Sequence, residues 1–292
     1  MRSKFSGVGV ALVTPFDNYG NVDYPALTKL VDHVVKGGVD YLVALGTTAE
    51  TSTLNAEEQA NVLEHIKQRN AGRLPVILGL GGNNTAEVKA KVEQANFSGV
   101  DALLSVTPYY NKPSQQGLYE HYKVVAETSP VPVLLYNVPG RTGVNLTSAA
   151  TLKLAHEVKN VCGIKEASGN IAQAGYILRD APKDFLVISG DDNLALPLMS
   201  IGAVGVISVA ANAFPKQMSD LVKAVQSNKY AAAATVYVQM LEIVDALFVE
   251  GNPVGVKGAL SILGVVKNNL RLPLVSASDA LMGSLKKLMA KL

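Results

Sequence analysis

Short apolar runs rich in valine, isoleucine and leucine recur along the chain, separated by longer stretches whose apolar positions fall at helical spacing. The runs are Gly7–Val13, Asp40–Leu45, Pro75–Leu80, Asp101–Val106, Val131–Tyr136, Val161–Lys165, Phe185–Ser189 and Val204–Val209. Each is too short for a typical helix and too uniformly apolar for a strand wet on one face. Parallel strands covered on both sides read this way. Between them, Tyr24–Gly37 carries Leu27, Leu30, Val31, Val34 and Val35 close to helical periodicity. Asn55, followed by Glu57 and Glu58, predicts an N-cap with acidic residues at the positive end of a helix running to Arg69. Further helices are predicted over Thr85–Phe97, Gln116–Glu127, Thr147–Val158, Ile171–Arg179 and Asn193–Ile201. Eight such units with right-handed crossovers predict an α/β fold, the closed (β/α)8 TIM barrel. A doubly wound open sheet is the alternative. It rarely reaches eight regular units, and no G-x-G-x-x-G follows the first strand.

From Pro215 onward the pattern is helical only. Lys223–Ala246 is alanine-rich without a breaker, and Gly255–Leu263 and Ser278–Leu292 have helical composition. The division expected is a catalytic barrel over residues 1–224 and a C-terminal α-helical domain over 225–292. A helical piece that small needs packing partners for stability.

Composition removes several function classes. The 292 residues are 48% hydrophobic and 17% charged, enough for a sizeable core. With 26 basic against 24 acidic residues, the net charge of +2 leaves no electrostatic footprint for nucleic acid. No basic tract points to an anionic membrane, and no apolar run reaches the ~18 residues of a spanning helix. The start, MRSKFSGVGVALVTPF, is interrupted by Gly7 and Gly9 and ends at Pro15 without a small-residue cleavage site. One cysteine, Cys162, excludes an intrachain disulfide framework and a multi-cysteine metal site. His33, His65, His121 and His156 fall in separate predicted helices, so no metal site is expected. The expectation is a soluble cytoplasmic protein with neither nucleic-acid nor membrane partners.

In such a barrel, chemistry belongs at the carboxyl ends of the strands. Lys165 ends the sixth run, where lysine is seldom buried without a reason. In a dry mouth its pKa would be lowered, and the neutral amine could form a Schiff base with a carbonyl. The bland alternative is a lysine that snorkels or pairs with Glu166. Tyr136 ends the fifth run and could relay protons, or simply pack. Thr48, after the second run, could bond that phenol or a substrate carboxylate, or cap a helix. Arg141 lies in the loop PGRTG, where its fork suits a carboxylate, as does a solvated role. Gly79–Asn84 lacks the lysine of a P-loop and reads as a tight strand-to-helix turn. Asp191 and Asp192, after the seventh run, have no partner ligands at metal-site spacing. Tyr109, Tyr110 and Tyr119 offer aromatic surface for packing or a subunit interface.

Three segments carry a specific resemblance: Gly46-Thr47-Thr48-x-Glu50, Tyr136-Asn137-Val138-Pro139-x-Arg141-Thr142-Gly143, and Gly163-Ile164-Lys165-Glu166-Ala167. Together the chain resembles the pyruvate-dependent class I aldolase/lyase superfamily and, within it, the dihydrodipicolinate synthase family, from the first strand through Asn252-Pro253. The resemblance implies condensation of pyruvate with L-aspartate 4-semialdehyde. It implies Lys165 as the Schiff-base lysine and Tyr136, Thr48 and Tyr110 as a hydroxyl relay, with Tyr110 reaching in from the adjoining subunit. Thr47 and Thr48 would hold the pyruvate carboxylate, Gly190 and the Ile207 backbone would line its site, and Arg141 would hold the semialdehyde carboxylate. It further implies a homotetramer, a dimer of tight dimers, with no metal or organic cofactor beyond the lysine–pyruvate imine. Sister families, N-acetylneuraminate lyase and the keto-deoxy sugar-acid aldolases, share the lysine and tyrosine. The Thr47-Thr48 pair, the arginine after Tyr-Asn-Val-Pro, and the tyrosine in Thr107-Pro108-Tyr109-Tyr110-Asn111-Lys112-Pro113 favour the synthase.

Two departures stand out. The family pattern has glycine where Ala49 stands. An alanine forced to positive φ there would cost about 1 kcal/mol or shift the turn. It would also favour a non-catalytic barrel that merely binds. In feedback-inhibited relatives, lysine binds near the segments holding Thr51, Ser52, Asn83, Glu87 and Tyr109. This chain keeps the last three but has Ala56 and Gln59 where inhibited bacterial relatives often carry histidines. The resemblance therefore implies weak or absent lysine sensitivity.

Overall fold

The computed structural model describes residues 4–292. Eight parallel strands follow one another in sequence order around a closed barrel. They are β1 (Gly7–Ala11), β2 (Tyr41–Ala44), β3 (Val76–Gly79), β4 (Ala102–Val106), β5 (Val133–Asn137), β6 (Val161–Glu166), β7 (Leu186–Ser189) and β8 (Gly205–Ser208). All eight apolar runs are strands, each trimmed or shifted by a residue or two. Except at Val106, every strand residue is buried, as strands covered on both faces require. The open-sheet alternative is excluded by the closure.

The chain forms two compact units. One takes in Pro75–Ile207 with the N-terminal segment ending at Ser6. It carries the strands from β3 onward and helices Thr85–Gln94, Gln115–Thr128, Ser148–Glu157, Ile171–Asp180 and Ala195–Ser200. Its strand ends are set by register, with Tyr136 beside Lys165 and Asn137 beside Glu166 across β5 and β6. Across β6 and β7, Lys165 pairs with Ile188 and Glu166 with Ser189.

The other unit takes in Gly7–Leu74 and Ser208–Leu292. Its helix Tyr24–Lys36 buries Ala26, Leu27, Leu30, Val31 and Val34 as one stripe, and Asp23 caps it by accepting from the Ala26 amide. Helix Ala56–Asn70 opens with a full capping box: Asn55 accepts from the Glu58 amide and Glu58 accepts from the Asn55 amide. The stretch Lys223–Ala246, expected to run unbroken, is two helices, Pro215–Gln226 and Tyr230–Ala246. Asn228 breaks it with a left-handed φ of +59°. Asparagine tolerates that conformation, so the breaker was present although neither glycine nor proline marks it. The helix after β8 thus ends just past the boundary expected at 224. Val254–Ile262 and Asp279–Met289 complete the helices. Among the described residues, no helix is long and apolar enough to cross a membrane.

Candidate active site

In the unit Pro75–Ile207, strand register builds the core of the site. Lys165 is 5% exposed and Tyr136 is 7% exposed. Residues side by side on neighbouring parallel strands project to the same face. The Lys165 Nζ accordingly stands 4.3 Å from the Tyr136 ring centroid, over its face. The bland reading of Lys165, a pair with Glu166, does not hold. Glu166 is one residue further along β6 and projects to the opposite face.

Glu166 is 2% exposed, and amides satisfy its carboxylate. Asn137 Nδ2 donates to both oxygens at 3.1 and 3.2 Å, Gln173 Nε2 donates at 3.0 Å, and the Ser168 amide donates at 2.8 Å. Asn137 Nδ2 also donates to Asn145 Oδ1, and Asn137 Oδ1 accepts from the Leu146 amide. Asn145 in turn donates to Gln173 Oε1 at 2.8 Å. This closed amide network ties the ends of β5 and β6 to the loop at 143–147 and the helix Ile171–Asp180. Of its members, Asn137 and Glu166 stand in the sequence motifs, whereas Asn145 and Gln173 do not.

Other expected residues of this unit are located as follows. Arg141 is exposed on a single-turn helix, Pro139–Thr142, directly after β5. Gly190 follows β7 and permits a close approach. A Cβ there would stand 2.5 Å from the Ala167 Cβ, while the Gly190 amide donates to the Glu166 carbonyl at 2.7 Å. Ile207 is fully buried in β8. Tyr110 is 89% exposed with φ +74°, and its amide donates to the Thr142 carbonyl. Tyr109 is exposed, whereas Tyr119 packs inside and donates to Glu157 at 2.8 Å. Asn83 accepts from Asn111 Nδ2 through its carbonyl, and Glu87 accepts from Asn84 Nδ2. Burial raises the Asp191 carboxyl above the ordinary carboxylate range. The Lys165 charge opposes this, Asp192 and Glu166 reinforce it, and Arg141 opposes it. Burial likewise pushes the Cys162 thiol up to about 12, so it stays protonated in the barrel wall.

Thr47, Thr48, Thr51 and Ser52 belong to the other unit. After β2 the chain forms two short 3-10 turns, Thr47–Ala49 and Thr51–Thr53. Thr47 is exposed and Thr48 is 2% exposed. Thr48 lies inside the first turn, whose cap position is Gly46, so the helix-cap reading of Thr48 fails. Ala49 is not at positive φ. Its amide donates to the Gly46 carbonyl at 3.0 Å, and its carbonyl accepts from Thr14 Oγ1 at 2.8 Å. The left-handed position is Glu50, φ +54°. The strain foreseen for an alanine in place of glycine is therefore absent.

Glu50, within the Gly46-Thr47-Thr48-x-Glu50 motif, has a role that only the fold reveals. It is 3% exposed. Its Oε1 accepts from Lys257 Nζ at 2.5 Å, and its Oε2 accepts from the Arg271 amide at 3.1 Å. Lys257 is fully buried and also donates to the Asn269 carbonyl at 2.9 Å, with its Nζ 4.2 Å from the Phe16 ring centroid. Burial pulls its ammonium down to about 8, against the raising effect of Glu50. Arg271 closes the group by donating to both oxygens of Glu58. Asn252 Nδ2 donates to Thr48 Oγ1 at 2.9 Å. A lysine inside an apolar helical segment was the available signal, and a charge there needs a buried partner.

The four histidines sit in four different helices. Each ring bonds a hydroxyl or a carbonyl: Thr28, Ala213, Thr85 and Asp180 for His65, His33, His121 and His156. Gln59 Nε2 donates to the Thr51 and Leu54 carbonyls, so its amide is engaged in closing the second turn.

The profile of the Dihydrodipicolinate synthetase family matches residues 4–292. The 4-hydroxy-tetrahydrodipicolinate synthase of Parabacteroides distasonis is 53% identical over 93% of this chain and 92% of its own length. The crystal structure of dihydrodipicolinate synthase from Thermotoga maritima superposes with a TM-score of 0.96 at 41% identity, covering 99% of this chain and 98% of that one. A structure described as the first monomeric dihydrodipicolinate synthase variant is equally similar. Its TM-score is 0.96 at 41% identity, with 99% and 97% covered.

Proposed function

The chain belongs to the dihydrodipicolinate synthetase family, and on that premise we propose that it is a lyase condensing pyruvate with L-aspartate 4-semialdehyde, toward diaminopimelate and lysine. The observation that carries the residue assignment is a buried strand-end lysine with its amine over the ring of the neighbouring strand-end tyrosine.

The neutral amine of Lys165 attacks the ketone carbon of pyruvate. Tyr136 passes a proton to the carbinolamine oxygen, water leaves, and an imine forms. The imine nitrogen draws electrons from the methyl group, which loses a proton to give an enamine. The enamine carbon attacks the aldehyde carbon of the semialdehyde, whose carboxylate Arg141 holds in its fork. The substrate's own amine then displaces Lys165 by transimination and closes the ring. Thr48 and Tyr110 complete the proton relay, with Tyr110 supplied by an adjoining subunit. Its exposure and its left-handed backbone support that role. Thr47 and Thr48 bind the pyruvate carboxylate, and Gly190 and the Ile207 backbone line its seat. The imine is the electron sink, so this reading uses no metal or organic cofactor.

We read a homotetramer built as a dimer of dimers. The monomeric variant among its structural neighbours makes sedimentation the deciding measurement. The segments with Thr51, Ser52, Asn83, Glu87 and Tyr109 bind lysine weakly or not at all, because Gln59 is committed to the turn it closes. A cytoplasmic location fits a chain with one cysteine and no intrachain disulfide. The domain reading, a barrel over 1–224 followed by helices over 225–292, fits the helical run after β8.

The test is an assay of purified protein with pyruvate and either L-aspartate 4-semialdehyde, an N-acyl mannosamine or a sugar aldehyde. Turnover with the semialdehyde well above the others is the expected result. Preference for a sugar aldehyde would move the chain to a sister family.

A further inference from the structure

A buried ion pair two residues beyond the Thr47–Thr48 turn joins it to the C-terminal helices. Glu50 holds a left-handed conformation that residues other than glycine, asparagine and aspartate seldom adopt. Its amide donates to the Thr47 carbonyl, and its carbonyl accepts from the Thr53 amide and hydroxyl. The Glu50 peptide is thus the joint between the two 3-10 turns, and anything that fixes its side chain fixes the Thr47 carbonyl too. What fixes it is the Lys257 ammonium and the Arg271 amide. Lys257 has no exposure to water, and its Nζ contacts are Glu50, the Asn269 carbonyl and the Phe16 ring. The same stretch of chain grips the turn at a second point through the bond from Asn252 to Thr48 Oγ1. An oxygen that accepts there keeps its own hydrogen for donation elsewhere, which is what a carboxylate-binding hydroxyl needs.

We propose that Lys257, on the helix Val254–Ile262, is a positioning residue for keto-acid binding: through Glu50 it sets the shape of the Thr47–Thr48 turn that receives the substrate carboxylate. The proposal rests on the reading of Thr47 and Thr48 as the carboxylate-binding pair. It gives the C-terminal helices a part in pyruvate affinity that is separate from packing.

Lys257→Met alone leaves a buried carboxylate without its partner and is expected to unfold. The informative variant is therefore the double exchange Glu50→Gln with Lys257→Met, which removes both charges and keeps the volumes. Buried ion pairs replaced by neutral groups of similar size often keep or gain stability. We expect this variant to fold, with the pyruvate KM raised by about tenfold, kcat at saturation little changed and the semialdehyde KM as in the parent. A folded double variant with the parent's pyruvate KM overturns the proposal and leaves the pair a structural one. Glu50→Gln with Lys257→Gln, which also removes both charges but keeps amides able to bond across the pair, provides the fallback if the first double variant does not fold. A raised pyruvate KM supports the proposal, and an unchanged one overturns it. Thr48→Val, measured in parallel, separates the two levels. If Thr48→Val leaves the pyruvate KM unchanged, the carboxylate reading of the turn fails and takes this inference with it. If it raises that KM while the double variant does not, only the role of Lys257 falls.

Discussion

The ends of β5 and β6 and the turn after β2 carry the proposed chemistry, and they are held in opposite ways. At β5 and β6, regular ladder register puts Tyr136 beside Lys165, and neutral amides surround the one buried carboxylate, Glu166. After β2 there is no ladder. Two 3-10 turns meet at a left-handed residue, and a buried salt bridge to Lys257, 207 residues away, secures them. The first arrangement tolerates little change in backbone and needs no charge compensation. The second leaves the backbone irregular and relies on a charge pair whose loss on one side is costly. Within its own unit, each segment thus takes its shape from a different source, ladder register in one and a buried charge pair in the other.

The largest loss is expected at the strand end. Tyr136→Phe keeps the ring under the lysine and removes only the hydroxyl. Turnover should fall by about 10²–10³-fold, the usual worth of a positioned proton donor, with pyruvate still forming an adduct slowly. Stopped-flow and steady-state rates read this directly, and near-parental turnover would remove Tyr136 from the relay. Next in size, Glu166→Leu strips the acceptor from Asn137, Gln173 and the Ser168 amide. Leaving buried donors unpaired should cost about 3 kcal/mol in denaturant unfolding. An unchanged midpoint would mean that the network is ornamental to the strand ends.

Arg141→Ala should raise the semialdehyde KM by about tenfold while pyruvate imine formation stays intact, since only the second substrate's carboxylate loses its fork. Equal loss with both substrates would contradict that assignment. Last, Ala49→Gly restores the family's residue at a position with no positive φ. It should bring no gain in rate and lose about 0.5–1 kcal/mol of stability through backbone entropy. A faster enzyme would show that alanine distorts the turn after all.

How much of this was legible in the sequence follows from the same contrast. The eight strands, the Asn55 cap and the residues at strand ends are local: their apolar runs and flanking letters lie within a few positions of one another. Lys165 and Tyr136 stand out as candidates because each closes such a run. The amide network was half legible, since Asn137 and Glu166 stand in the motifs, while Asn145 and Gln173 join only once the chain folds back. The Glu50–Lys257–Arg271–Glu58 group was not legible as a group. Its members are scattered from position 50 to 271, and no periodicity links them. The break at Asn228 was missed for another reason. An asparagine can adopt the left-handed conformation without announcing it, whereas a glycine in the same place would have been read as a stop.

If the proposed function holds, the Lys165 amine bonds covalently to pyruvate. Incubation with pyruvate followed by borohydride reduction and peptide mass spectrometry tests it most directly. One reduced pyruvate adduct is expected, on the peptide containing Lys165, and none in Lys165→Ala. An unmodified Lys165 in protein that turns over, or an adduct on another lysine, would contradict it.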